Sequence, residues 1–427
     1  MDLTIEGKIY INGTFEKCCI GIDDGKISAI KKILKGEKHY SFGKSLILPA
    51  GIDLHVHFRD PGRTYKEDFA TGTMAATFGG LSCVFDMPNT IPQTTSIYTI
   101  LEKKKLAEKK AHVDFGLYAG ITNGNLKDID KLVKYCNGFK IFLGTTTNSL
   151  MFDKKNLKEV FKNSTLSKKP VLIHAECDKC LLKHKRKESN LVDHLNSRPN
   201  ECEEEAIKHI LSSSKNSSCK IHICHLSSCE GLELLKNRTK NISCGVTPHH
   251  SLFSIEKQFD SQGFFKVNPP IRTKFDRETL FEAIKNGTVD ILESDHAPHT
   301  LEEKSVDFSD VPTGMPGVEV MYPLFLYMAK KETLSFQRMI SLLCERPAEI
   351  IGIPKGKIAV GNDADFIVIN LKDDCKISSE KLHSKCGWTP YEGWPAIFPS
   401  HVFVRGERLI EDYEMQGTKG FGRFVGA

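Results

Sequence analysis

The chain has 427 residues, 40% hydrophobic and 26% charged, the composition of a soluble globular enzyme and more length than one compact core needs. A net charge of +5, with no Lys/Arg block and no aromatic-basic interleaving, argues against nucleic acid as a partner, and a mildly basic protein suits a small anionic substrate. No apolar run approaches the roughly 18 residues of a membrane span. Met1–Glu6 reads as a strand rather than a secretory leader, so the expected compartment is the cytoplasm.

In chain order, residues 1–49 read as short strands and turns, with Lys8–Ile11 and Cys19–Ile22 as strands and Asn12-Gly13 and Asp24-Gly25 as turns. Residues 351–427 have the same texture, with strands expected at Lys357–Gly361, Asp365–Ile369 and Val402–Gly406. Neither end carries enough apolar residues to fold alone, so the two together are expected to form one small β-sandwich. Between them, residues 50–350 alternate eight apolar, β-branched runs with helix-like stretches such as Glu67–Phe78, Ile97–Lys110 and Arg277–Asn286. The runs end near Phe58, Pro88, Gly120, Gly144, Glu176, Ser227, His250 and His299. Eightfold strand–helix alternation predicts an α/β fold of the (β/α)₈ TIM-barrel type.

Catalytic groups of such a barrel come from the C-terminal ends of its strands. In the first run, alternation places Asp53, His55, His57 and Arg59 on one face and Leu54, Val56 and Phe58 on the other. Two imidazoles at i and i+2 make half of a metal site. Run five ends with His174 and run six with His225; if His225 points in, His222 points out. Run eight supplies Asp295. Four histidines and an aspartate thus converge on one mouth. Lys140 sits amid aromatic and aliphatic residues in run four, where a bare ammonium is disfavoured. Either it pairs with a buried carboxylate, or its neutral amine takes up CO₂ to give a carbamate that bridges two cations.

Other features receive structural readings. The 14 cysteines are scattered through a long chain and are expected to be reduced, and Cys177-x-x-Cys180 lacks the second pair of a zinc knuckle. His184, His194 and His209 are expected in solvent, and Glu201–Glu205 as a helix start. His249 and His250 end run seven near the site but outside the metal shell. Thr145-Thr146-Thr147 faces the same mouth.

Together, Asp53-x-His55-x-His57, Gly138-Phe139-Lys140, His174-Ala175-Glu176, His225 and Asp295 resemble the amidohydrolase superfamily. Within it, Phe58-Arg59-Asp60-Pro61-Gly62, Asp86-Met87-Pro88-Asn89-Thr90, Val267-Asn268-Pro269-Pro270, Ser294–His299 and Thr389–Trp394 resemble the dihydroorotase family, in the same order over nearly the whole chain. The resemblance implies two Zn²⁺ ions, one held by His55 and His57 with Asp295 beside it, the other by His174 and His225, with carboxylated Lys140 between them. It implies that Arg59, Asn89 and His299 grip a substrate carboxylate and that Asn268, Thr313 and Gly314 contact the ring. Asp295 would move the proton in a reversible cyclic-amide hydrolysis. Allantoinase or hydantoinase-type activity shares the metal core, but allantoinases usually place asparagine where Arg59 stands. A non-catalytic scaffold would have lost metal ligands that are all present here. Aspartate transcarbamoylase and a second copy of the chain are the macromolecular partners to consider.

Overall fold

The computed structural model describes residues 1–145 and 150–426. Residues 146 and 147 of the Thr145-Thr146-Thr147 loop therefore lie outside the described residues. All eight expected runs are parallel strands of one sheet: Gly51–Val56, Leu81–Asp86, Asp114–Gly120, Gly138–Phe142, Val171–His174, Ile221–Ile223, Ile242–Val246 and Ile291–Leu292. They are ordered as in the chain, and the ring closes where His57 N–H donates to the His296 carbonyl at 2.8 Å. Nearly every strand residue is buried because helices cover the outside and side chains fill the inside.

The helices start where short polar side chains satisfy their free N–H groups. Asp68 caps Phe69–Phe78, Ser96 caps Ile97–Lys110 and Thr273 caps Lys274–Asn286, each in a reciprocal capping box. The barrel interior packs Ile52, Leu54, Cys83, Phe85, Tyr118, Leu172, Cys224 and Ile291, and Ala348 and Ile351 of the helix Arg346–Ile351 pack on the same cluster.

This interior corrects two orientations expected from alternation. The pairing of the first strand slips between Asp53 and Val56, so Leu54 joins Ile52 inside the barrel. The extra residue reverses the phase and still brings His55 and His57 to the mouth. On strand six, His222 pairs in register with Leu172 and is fully buried on the inward side. His225 reaches the mouth not by alternation but through a left-handed turn at its own backbone, φ 37°.

The two ends of the chain share one mixed eight-stranded sheet, in which Lys38–Pro49 pairs with both Leu3–Ile11 and Phe366–Ile369. One of its faces buries Leu3, Ile5, Ile20, Ile22, Ile47, Phe366 and Phe403. Lys357–Gly361, expected as a strand, runs as turns instead, with Val360 exposed. Its neighbour Lys355 is buried among Asp114, Asp363 and Asp365 at 2.7, 2.9 and 2.8 Å, tying the third barrel strand to the C-terminal segment.

Two further expectations are corrected. Cys180 and Cys202 form a disulfide, because the Cys177 N–H bond to the Cys202 carbonyl brings the helices Asp178–His184 and Asn200–Ser213 together. Cys83 and Cys224 are free and buried, as expected. His194 is buried rather than solvated, bonded to Glu188 at 2.9 Å and to the Val267 carbonyl at 2.8 Å.

Candidate active site

The strand ends surround a cavity of about 780 Å³ at the C-terminal mouth of the barrel. Every residue assigned a metal or substrate role from the sequence lines it except Lys140, which is fully buried.

Two groups of donors face each other there. On one side, His55 Nε2 and His57 Nε2 lie 3.3 and 3.1 Å from Asp295 Oδ1. On the other, His174 Nδ1 and His225 Nε2 approach to 3.1 Å. His55, His225 and Asp295 bring ligand atoms within 4.8 Å of one another, so the two groups are continuous. Burial and the nearby Lys140 charge lower the His55 pKa to about 4; burial, His174 and Lys140 hold His225 well below its ordinary value. Neutral imidazoles with an adjacent carboxylate are the donor set that zinc-like cations take. Asp295 is held well below the ordinary carboxylate range: burial opposes its ionisation, but His55 and His57 outweigh it.

Lys140 Nζ is 3.1 Å from Cys224 Sγ and 5.1 Å from the Phe142 ring centroid. Its charge lowers the pKa values of His55, His174 and His225. Among the described residues no carboxylate comes within salt-bridge distance of it, so the structure contains no buried ion pair of the kind first considered for this lysine. Burial pushes the Cys224 thiol up to about 12, so it stays protonated beside the amine.

Partners behind these groups set their orientation. Asn89 Oδ1 accepts from His57 Nδ1 at 2.7 Å, leaving the amide nitrogen for the cavity. Glu176 Oε2 accepts from His174 Nε2 at 2.7 Å and is clamped by Arg198. Glu293 Oε2 lies 3.0 Å from His55 Nδ1, and its Oε1 accepts the His225 backbone N–H. Only a glycine at 245 leaves room for this carboxylate, since a Cβ there would fall 2.4 Å from Glu293 Oε1. Asp53, expected beside the histidines, turns instead to the backbone N–H groups of His55 and Ser294 at 3.0 and 3.2 Å. Burial raises its pKa to about 7.

The outer wall is cationic. Arg59, in a left-handed conformation at φ 61°, reaches His299 Nε2 at 3.3 Å and the Pro298 carbonyl at 3.3 Å. Burial brings its pKa down only to about 10, so it remains charged. Arg63 lines the same wall. His299 Nδ1 accepts from Lys66 Nζ at 2.9 Å, and its Nε2 lies 3.1 Å from the Thr313 carbonyl. Asn268 Nδ2 is 3.4 Å from Thr313 Oγ1, while its Oδ1 is buried without a hydrogen-bond partner among the described residues. His249 and His250 lie under the floor: His250 bonds Thr247 and the Pro269 carbonyl, and neither lines the cavity.

Sequence reasoning missed Glu293, Arg198, Arg63 and Lys66. Glu293 had a signal, a carboxylate in an apolar strand two residues before Asp295. Arg198 had none, since its partner lies 22 residues away across two short helices.

The Amidohydrolase family profile matches residues 46–408. The dihydroorotase of Thermoplasma volcanium is 39% identical over 428 residues, covering 100% of this chain and 98% of that protein. That of Methanosarcina mazei is 36% identical over 439 residues, covering 98% and 96%. Among solved structures, the L-hydantoinase (dihydropyrimidinase) from Arthrobacter aurescens aligns over the whole of both chains with a TM-score of 0.95 and 28% identity. Among the described residues, no helix is long and apolar enough to cross a membrane.

Proposed function

This chain belongs to the amidohydrolase family and, within it, to the dihydroorotases, and on that premise we propose that it interconverts N-carbamoyl-L-aspartate and L-dihydroorotate, a step of pyrimidine synthesis. The observation that carries the reading is the position of a buried, charged Arg59 on the wall of the cavity that also contains the histidine–aspartate cluster. A guanidinium there offers a planar fork to a substrate carboxylate, which dihydroorotate has and a plain hydantoin lacks. The L-hydantoinase shares the fold over the whole chain at 28% identity, whereas the dihydroorotases of Methanosarcina mazei and Thermoplasma volcanium are 36% and 39% identical.

His55 and His57 with Asp295, and His174 with His225, would hold two zinc ions, with Lys140 as the carboxylated bridge. Such a pair supplies a polarised amide carbonyl and water ionised near neutral pH. Asp295, ionised, takes a proton from the attacking water at Oδ1 and returns it to the leaving ring nitrogen. In the synthetic direction the same transfers run in reverse. Arg59, the amide nitrogen of Asn89 and His299 anchor the carboxylate, which orients the ring against the cluster. The unpartnered Asn268 Oδ1 accepts a ring N–H, and the backbone at Thr313 and Gly314 completes the ring contact. Neutral His299 accepts from Lys66 at Nδ1, which leaves its proton on Nε2, where the Thr313 carbonyl accepts it at 3.1 Å.

The test is turnover of dihydroorotate, allantoin and hydantoin side by side, before and after chelation. Preference for dihydroorotate, lost on chelation and restored by zinc, is expected. Preference for either other substrate would refute the assignment, and full activity after complete metal removal would refute the metal chemistry.

A further inference from the structure

Lys304, at the end of the short helix Leu301–Lys304, is almost completely buried, yet among the described residues no carboxylate lies within ion-pair distance of it. Its Nζ is instead held by three backbone carbonyls: Pro312 at 2.9 Å, Gly314 at 3.0 Å and Lys266 at 3.4 Å. An ammonium has three N–H donors, so three carbonyls satisfy it without a counter-charge. The three acceptors come from two separate segments. Pro312 and Gly314 flank Thr313, and Lys266 leads into Asn268. The Gly314 N–H also donates to the Lys266 carbonyl at 3.0 Å, closing the two segments on each other.

We infer that Lys304 is a positioning residue for substrate, its ammonium fixing the two loops that present Asn268 Oδ1 and the Thr313–Gly314 backbone to the cavity. Lys304 itself does not line the cavity and touches none of the candidate metal donors, so its effect is on where the ring is held. Burying a charged lysine without a carboxylate partner is costly; here the backbone it organises belongs to the substrate pocket. The geometry also makes the latch sensitive to protonation, since a neutral amine keeps only two donors. Burial and the facing Lys266 charge, against the opposing Glu303 on its own helix and with a further push from Lys66, lower the Lys304 pKa to about 7.

The inference rests on the reading of the cavity as a dihydroorotate site, and the experiment separates the two. Dihydroorotate KM and kcat are measured from pH 6 to 9 for zinc-loaded wild type and Lys304→Met, alongside zinc stoichiometry. The expected result is a KM raised about tenfold or more in the variant, with zinc content unchanged and kcat lowered far less. KM of the wild type should rise through about pH 7, and the variant should lack this rise. If Lys304→Met does not fold, Lys304→Gln, which keeps an amide donor, is expected to show a smaller KM increase. Folded variants with wild-type KM at every pH would overturn the inference alone. A wild type that does not turn over dihydroorotate would overturn the substrate reading and this inference with it.

Discussion

The Glu293 carboxylate accepts from His55 Nδ1 at 3.0 Å and, with its second oxygen, from the backbone N–H of His225. One buried side chain just past the end of strand eight therefore sets a ring on strand one and the turn after strand six. With Nδ1–H donated to Glu293, His55 is left in the tautomer whose Nε2 lone pair faces Asp295. Glu293→Gln cannot accept at both oxygens, because one becomes an amide donor facing the His225 N–H. The variant is expected to fold with a lowered Tm and to bind zinc about 10- to 100-fold more weakly. Competition with a chromogenic chelator measures this, and unchanged zinc affinity would rule out the orienting role.

Asp295→Asn keeps the shape of the side chain but removes its basicity. Turnover is expected to fall by about 10²–10⁴-fold, the usual contribution of a positioned general acid–base. Zinc analysis and circular dichroism should show much of the metal and the fold retained. Turnover near that of the wild type would take Asp295 out of the proton transfer.

Arg59→Met removes a buried guanidinium while leaving the histidine cluster untouched. The loss of a charge-assisted pair is expected to raise KM for dihydroorotate roughly 10- to 100-fold, with a smaller effect on kcat. Steady-state kinetics on the folded variant checks it, and an unchanged KM would contradict the carboxylate anchor.

Acid sensitivity is expected at Glu188, which is bonded to His194 at 2.9 Å and paired with Lys266 at 3.2 Å. Burial opposes its ionisation, but hydrogen bonds from His194 and Ser197 and the Lys266 charge prevail and lower its pKa to about 2. A depressed carboxylate stabilises the fold above its unfolded pKa near 4.5, and the contribution disappears as pH falls through about 2. Glu188→Gln should therefore show a lower Tm than wild type at pH 7 and a Tm difference that shrinks progressively below pH 4.5. A difference independent of pH would mean that packing, not ionisation, is what the mutation removes.

The eight strands were legible in the sequence because parallel barrel strands are buried on both faces and appear as uninterrupted apolar runs. His55, His57, His174, His225 and Asp295 were legible because polar residues at the ends of such runs have no structural reason to be there. What alternation alone predicted wrongly was side-chain direction on strands one and six. A bulge after Asp53 and a left-handed turn at His225 are backbone choices made by pairing with neighbouring strands, and no local pattern encodes them.

The amino-acid order by itself determined the barrel, the ring of metal-competent side chains and the arginine at its rim, since each depends on composition and spacing along single strands. Only the tertiary structure decided that Glu293 serves His55 and His225, that Arg198 clamps Glu176, and that Cys180 meets Cys202. Each of those contacts joins segments distant along the chain, and their proximity is fixed by barrel closure and loop packing rather than by any periodicity that a linear reading detects.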